Sequence, residues 1–323
     1  MNYTLTQRVT PFFSGLALPE VDDPIRRQFM PTDSEGTVLP YESADPLHED
    51  AYSPVSRLIH RYPSRVLALT TDECAINCRY CFRRYFTGSR SGPLSSLQLE
   101  DILNYVKVHR EIDEVLLSGG DPLTLSDSAF AEMLSRFRSV RDELVLRICT
   151  RIPSVLPSRI TDEFCAIIAK NAPAWIIAQF NHPREITPQC KSALRTILRH
   201  GVPVMCQTVL LKGINDNAGI LAELFRALVR CHVKPYYLFQ GDLAAGTSHF
   251  RVRLDRSIEI VSELKGMISR IAMPRFAVDL PDGGGKTEIT ETNFSKGPDG
   301  WFLIHGRDGV IGRYPAEGEP TDA

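Results

Sequence analysis

Three cysteines stand in the run Cys74-Ala-Ile-Asn-Cys78-Arg-Tyr-Cys81, a C-x3-C-x2-C spacing. Each thiolate at that spacing can take one iron of a cubane cluster, which leaves the fourth iron without a cysteine in the segment. Clusters held by a full set of thiolates mostly carry electrons. One with an open iron can also bind and activate a small molecule, as open coordination positions do in other catalytic metal sites. A structural zinc site would instead show two closely spaced pairs, or a pair followed by histidines. Cys149, Cys165, Cys190, Cys206 and Cys231 are scattered singly. Such residues usually behave as small buried apolar groups, so a disulfide framework is not expected.

Further groups could do chemistry beside these thiols. Ser118-Gly119-Gly120-Asp121-Pro122 follows an apolar run. Its paired glycines permit positive φ and close approach of a ligand to bare backbone, although a plain turn uses the same residues. Asp279-Leu-Pro-Asp-Gly-Gly-Gly-Lys286-Thr287 resembles a P-loop, but G-x4-G-K-[ST] needs glycine where Leu280 stands. Three glycines before a lysine can carry an amine deep into a site, where it can form a Schiff base with a carbonyl cofactor such as pyridoxal phosphate. A glycine-rich surface loop has the same composition. Arg83 and Arg84 follow the cysteines directly, and arginine's rigid fork matches carboxylate or phosphate. Asp242 and Asp279 each end an apolar run. Two such acids can face one pocket and hold an ammonium group, or each can cap a helix. His182, in Phe180-Asn-His-Pro183, reads as a turn residue.

The elements that position these groups follow from hydrophobic patterning. Residues 1–60 are rich in Pro, Asp, Glu and Ser and read as an irregular N-terminal arm with one short helix. Strands are expected at Val66–Thr71, Glu114–Ser118, Leu144–Thr150, Trp175–Asn181, Val202–Leu211 and Lys234–Gln240. Amphipathic helices are expected between them at Leu97–Val108, Ala129–Val140, Ile160–Ala169, Pro188–Arg199 and Ala218–Val229, with Ile258–Ile271 after the last strand. Such alternation implies βαβ units and a parallel sheet. The strands are apolar on both parities, as expected when both faces are covered. The sheet can close partly into a barrel or stay open; in either, functional residues collect where strands end. Trp301–Ile304 and Gly309–Tyr314 read as a hairpin.

The 323 residues are 43 % hydrophobic and 24 % charged, with net charge −2. This balance suits a globular enzyme and excludes a global field for nucleic acid or anionic membrane. No apolar run approaches the roughly 20 residues of a membrane span. The N-terminus lacks a basic segment followed by a long apolar one, so a signal peptide is not expected. Free thiols suit a reducing cytoplasm.

Taken together, the motifs resemble the lysine 2,3-aminomutase family of radical S-adenosylmethionine enzymes from about Tyr62 to Tyr314. The resemblance rests on the cysteine motif with Phe82-Arg83-Arg84, and on Leu117-Ser-Gly-Gly-Asp-Pro122. It continues through Thr150-Arg-Ile-Pro-Ser-Val-Leu-Pro157, Phe180-Asn-His-Pro183, Gln207-Thr-Val-Leu-Leu-Lys-Gly-Ile-Asn-Asp216, Pro235-Tyr-Tyr237 and Asp279 to Thr287. It implies an α/β fold, a partial (β/α)6 radical-SAM barrel over residues 61–285, with the arm before it. A short C-terminal β-hairpin extension, 286–323, begins at the cofactor lysine. By matching position, Cys74, Cys78 and Cys81 are expected to hold a 4Fe-4S cluster, and Lys286 to bind pyridoxal 5′-phosphate covalently. Tyr62 and Arg65 match residues that hold the cofactor phosphate. Gly119, Gly120, Asp121 and Gln207 are expected near bound cofactor, Gln207 and the Gly-Gly turn beside S-adenosylmethionine. Arg83 matches the clamp for a substrate carboxylate, and Asp242 with Asp279 the pair that binds the side-chain ammonium of L-lysine.

The implied reaction is isomerisation of L-lysine to β-lysine. A reducing partner such as flavodoxin or ferredoxin supplies an electron. A 5′-deoxyadenosyl radical takes hydrogen from C3, the amino group moves from C2 to C3, and hydrogen returns. Longer family members carry a zinc-binding cysteine where Asn217 stands here, so no zinc is expected and a homo-oligomer is left open. Gln179 and Phe239 replace a histidine and a tyrosine seen in longer members. The same chemistry can serve free lysine or supply β-lysine for modification of elongation factor P. A non-catalytic Fe–S electron-transfer protein would need neither Lys286 nor the acid pair.

Overall fold

Apolar runs alternating with amphipathic stretches fold as a nearly closed partial barrel in the structure, a computed structural model. It describes residues 5–89, 91–280, 285–290, 292–297, 300–306 and 309–315. The main sheet has nine strands in sequence order: β1 Leu58–Tyr62, β2 Arg65–Thr71, β3 Glu114–Gly119, β4 Val145–Thr150, β5 Ala174–Gln179, β6 Val204–Val209, β7 Lys234–Phe239, β8 Arg275–Leu280 and β9 Gly285–Glu288. Strands β2 to β8 pair in parallel. β1 and β9 add antiparallel edges. The strands expected from patterning are all present, with ends shifted by at most two residues. β1 was not expected, because only Leu58 and Ile59 of its residues are buried and the rest sit at a half-exposed edge.

Helices follow the strands because their apolar residues recur on one face. The helices are α1 Pro11–Ser14, α2 Ser96–Val108, α3 Asp127–Val140, α4 Ile152–Val155, α5 Asp162–Lys170, α6 Pro188–Arg199, α7 Ala218–Arg230 and α8 Leu254–Met267. In α6 the buried residues are Cys190, Ala193, Leu194 and Ile197, the i, i+3, i+4, i+7 stripe of a helix laid on a sheet. Thr187 caps α6 by accepting from the Cys190 N–H, and Pro188 occupies its first turn, where no donor is needed. Asn217 caps α7 by accepting from the N–H groups of Gly219 and Ile220. Among the described residues no helix is long and apolar enough to cross a membrane.

Side chains join the two open edges of the barrel. The Tyr62 hydroxyl accepts from the Lys286 N–H at 2.8 Å, and Arg61 Nη2 donates to the Leu280 carbonyl at 3.2 Å. The boundaries drawn at 60/61 and 285/286 therefore run through β1 and β9. The C-terminal hairpin is present as β11 Trp301–His305 and β12 Ile311–Pro315, and a third antiparallel strand, β10 Phe294–Lys296, joins it. Residues 281–284 of the glycine-rich loop and 307–308 of the hairpin turn lie outside the described residues.

The N-terminal arm is irregular, as expected, but it wraps the cysteine loop. Gln28 and Arg8 carbonyls accept from the Arg79 and Asn77 N–H groups at 3.0 and 2.9 Å. Glu35 accepts from both Arg79 and Arg84 in an interior where the three side chains are almost wholly buried. Glu35→Ala strands two buried guanidinium groups. It should cost about 3–5 kcal/mol by denaturant unfolding, the range for breaking a buried ion pair from one side. A loss below 1 kcal/mol would contradict this role.

Candidate functional site

A cavity of about 550 Å³ opens inside the barrel, and thirteen of the residues expected to carry chemistry line it: Cys74, Cys78, Cys81, Tyr62, Arg65, Arg83, Gly119, Gly120, Asp121, Gln207, Asp242, Asp279 and Lys286; Arg84 is instead turned to Glu35 and the Gly246 carbonyl. Most come from the ends of parallel strands and the loops that follow, where a parallel barrel gathers functional groups; Arg65 instead opens β2, Gln207 lies within β6 and Lys286 within the antiparallel β9.

The cysteine loop leaves β2 at Thr71. All three thiols are free. Burial, followed by the proximity of one another's sulfur, pushes the Cys81 thiol up to about 11 and the Cys74 thiol well above its ordinary value. Such thiols are poor nucleophiles until a metal takes their protons. Among the described residues no three His, Cys, Asp or Glu side chains converge on one ion. A cubane gives each thiolate its own iron, so three separated thiols facing one cavity fit a cluster.

The Gly119-Gly120 turn packs tightly against the backbone that follows β2. Gly119 has φ 109°, and a Cβ there would come within 2.5 Å of the Thr71 carbonyl oxygen; one on Gly120 would collide with Glu73. The Gly120 and Asp121 N–H groups donate to Thr71 and Glu73 carbonyls at 2.6 and 2.7 Å. The glycines thus admit the backbone leading into Cys74. The Asp121 carboxylate accepts from Thr150 Oγ1, the Arg151 N–H and the Leu123 N–H, which ties β3 to the end of β4. Burial raises its carboxyl above the usual range despite these bonds.

Elsewhere along the cavity, β8 and β9 pair so that Asp279 stands directly across from Lys286. Cross-strand neighbours meet on one face, and Lys286 Nζ donates to Asp279 Oδ2 at 2.7 Å. The same amine lies 4.0 Å from the Phe239 ring centroid and 5.3 Å from that of Tyr237. Asp242 follows β7. Burial, then the charge of Asp279, raises its carboxyl to about 7, with Lys286 and Arg83 acting in the opposite direction. The two acids therefore form one coupled site, and neither is a helix cap.

Tyr62 accepts from Lys286 with its oxygen and keeps its own O–H to donate. The Arg65 guanidinium stacks 3.9 Å above its ring. Arg61, which the sequence did not single out, also lines the cavity, with its Nε buried and unpartnered. Spare donors of this kind fit a phosphate. Arg83 is already engaged: Nε donates to Glu49 Oε2 at 2.8 Å, Nη2 pairs with Oε1, and Nη1 reaches Ser118 Oγ at 3.4 Å. Glu49 belongs to the arm and carries no motif, so nothing in the sequence pointed to it. Gln179 and Phe239 both line the cavity. Gln179 Nε2 donates to the Tyr80 hydroxyl at 3.4 Å.

A partial parallel barrel with a three-cysteine loop after its first parallel strand defines the radical S-adenosylmethionine class, and the Radical SAM superfamily pattern matches residues 69–224. The backbone is similar to a radical SAM methyltransferase from Sphaerobacter thermophilus, with TM-score 0.50 and 15 % identity over 68 % of each chain, which shows the fold alone. The sequence is 40 % identical over 312 residues to an L-lysine 2,3-aminomutase of Fusobacterium nucleatum, covering 96 % of this chain and 73 % of the relative. It is 38 % identical to the L-lysine 2,3-aminomutase of Clostridium subterminale, covering 96 % and 75 %. It is also 37 % identical over 293 residues to a glutamate 2,3-aminomutase of Clostridioides difficile, covering 90 % and 69 %. The chain belongs to the lysine 2,3-aminomutase family of radical S-adenosylmethionine isomerases, whose chemistry implies a 4Fe-4S cluster and S-adenosylmethionine.

Proposed function

We propose that the protein is a pyridoxal phosphate-dependent L-lysine 2,3-aminomutase that forms β-lysine. The observation that carries this reading is one cavity shared by the three cysteines, Lys286 and the acid pair Asp242–Asp279. A bare electron carrier has no use for the last two features. When bound, the cluster with S-adenosylmethionine supplies a hydrogen-abstracting radical, and pyridoxal phosphate supplies a delocalising ring.

The chain's own residues hold and orient these groups. Cys74, Cys78 and Cys81 ligate three irons. Lys286 carries the covalent cofactor, and Tyr62, Arg65 and Arg61 receive its phosphate. Gln207 and the Gly119–Gly120 turn border S-adenosylmethionine. Glu49 holds the Arg83 fork while Nη1 is left with one long contact, so Arg83 can add an α-carboxylate on that side. Asp242 and Asp279 take the distant ammonium, the second after Lys286 leaves it. Gathering these groups in one cavity fixes their mutual placement. A small reducing protein, flavodoxin or ferredoxin in kind, supplies the electron.

Charge then selects the substrate. Glutamate would set a carboxylate against two acids and should be rejected. Asp242→Asn or Asp279→Asn should weaken lysine turnover by about 2–5 kcal/mol, the range for losing one partner of a buried charge pair. Steady-state assays of wild type and both variants with lysine and glutamate test this. Glutamate outperforming lysine on the wild type would refute the substrate assignment while leaving the radical chemistry intact.

The raised carboxyl of Asp242 adds a pH signature. Below about pH 7 the ligand-free protein keeps this acid protonated, whereas a bound ammonium favours the carboxylate. Lysine binding should therefore release a proton, and its apparent affinity should fall as pH drops through 7. The sign for stability is opposite: a raised carboxyl makes the empty fold lose stability as pH climbs from the ordinary carboxylate range towards 7. Calorimetric titration of lysine in buffers of differing ionisation heat measures the released proton. No proton release at pH 6 would contradict the coupling.

A further inference from the structure

Arg151 stands at the end of β4, only 5 % exposed, and nothing in the sequence singled it out beyond its place in Thr150-Arg-Ile-Pro. Its guanidinium points at the cysteine loop. Nη1 donates to Cys78 Sγ at 3.0 Å. Nη2 donates to Gln28 Oε1 of the arm and lies 3.4 Å from Glu185 Oε2. The rings of Phe13 and Tyr80 lie within 5.1 and 5.6 Å of the guanidinium carbon. Its backbone N–H is fixed by Asp121 at 2.7 Å. Glu185 is itself immobilised, accepting from Gln28 Nε2, Ser154 Oγ and the N–H groups of Asn181 and His182. A cation is thus locked against a cysteine sulfur by partners drawn from the arm, β4 and the loop after β5.

We propose that Arg151 tunes the reduction potential of the cluster through its hydrogen bond to Cys78, with Glu185 and Gln28 as positioning residues. The inference rests on the cysteines holding a cluster. Reduction adds one electron, and part of that charge resides on the ligand sulfurs. A charge-assisted N–H···S bond stabilises the more negative, reduced state and so raises the potential. Glu185 opposes it, because a carboxylate beside the guanidinium cancels part of the cation's field and does not touch the sulfur. The pair sets a potential between that of a bare thiolate ligand set and that of one facing an uncompensated cation. This is outer-shell control of a metal centre, distinct from ligation itself.

The two charges make opposite predictions. In anaerobically reconstituted protein without S-adenosylmethionine, a redox titration followed by electron paramagnetic resonance should place Arg151→Gln at a more negative midpoint than wild type. Glu185→Gln should be more positive, and Arg151→Lys should recover part of the loss, at matched iron content. Loosened packing alone would not produce opposite signs. An unchanged midpoint in an iron-loaded Arg151→Gln protein, or shifts of the same sign in both glutamine variants, would overturn the proposal. Wild-type protein that takes up no iron would instead remove the cluster reading beneath it. Should Arg151→Gln fail to hold a cluster, wild-type protein carrying arginine labelled with nitrogen-15 at the guanidino nitrogens decides the matter. Pulsed resonance of the reduced cluster should show a nitrogen-15 coupling that Arg151→Lys loses. Absence of that coupling in the wild type would refute the contact.

Discussion

Alanine at Cys74, Cys78 or Cys81 should leave a folded chain that no longer cleaves S-adenosylmethionine. On the proposed reading each substitution removes the ligand of one iron, and no second cysteine motif exists to replace it. Cys149 is the other thiol lining the same cavity. It sits in β4 rather than in the loop, beside Arg147 and Arg83. Iron content, visible absorbance and 5′-deoxyadenosine formation under anaerobic reduction should all fall to background in each variant, while circular dichroism stays near wild type. All three side chains line the cavity, and Cys78 also packs against the hydrophobic core. A variant that retained full cleavage would show that its cysteine is not a ligand.

Lys286→Ala should abolish covalent retention of pyridoxal phosphate and lower β-lysine formation by about 10²-fold or more, the scale of misplacing a reacting group. S-adenosylmethionine cleavage should persist, since Lys286 is not among the three cysteines that would hold the cluster. Lys286 belongs to β9 and the cluster loop follows β2, so the two sets of groups come from different strands of the barrel. Borohydride reduction of cofactor-loaded wild type, followed by peptide mapping, should label Lys286. A label on another lysine would sink the assignment. Lys286→Ala also leaves Asp279 without its cross-strand amine, so Lys286→Arg, which keeps a cation there but forms no Schiff base, separates loss of the Schiff base from local repulsion between Asp242 and Asp279.

Much of the barrel was legible because its strands are apolar on both faces and its helices carry a regular stripe, so tertiary context reinforces local pattern. Pro188–Arg199 has the same bounds in sequence and structure, with its Thr-Pro start signalling the cap. The cysteines, Lys286 and the two acids were legible because their spacing or their place at a run's end carries chemistry. Residues acting through long-range contacts were not. Glu49 meets Arg83 across 34 positions, Glu35 meets Arg79 across 44, and Gln28 meets Arg151 across 123. No periodicity links such pairs, and a polar arm reads the same whether it clasps a site or hangs in solvent. The paired glycines were visible, but sequence could not tell ligand approach from approach of neighbouring backbone. The contacts of Gly119 and Gly120 with residues 69–73 show that neighbouring backbone makes such an approach, while both glycines also line the cavity.

The most direct test is product analysis by carbon-13 magnetic resonance. Anaerobically reconstituted protein would be supplied with pyridoxal phosphate, S-adenosylmethionine, a strong reductant and uniformly carbon-13-labelled L-lysine. The account predicts β-lysine in excess over enzyme, with S-adenosylmethionine regenerated rather than consumed. Stoichiometric release of 5′-deoxyadenosine without β-lysine, or conversion of glutamate but not lysine under the same conditions, would contradict it.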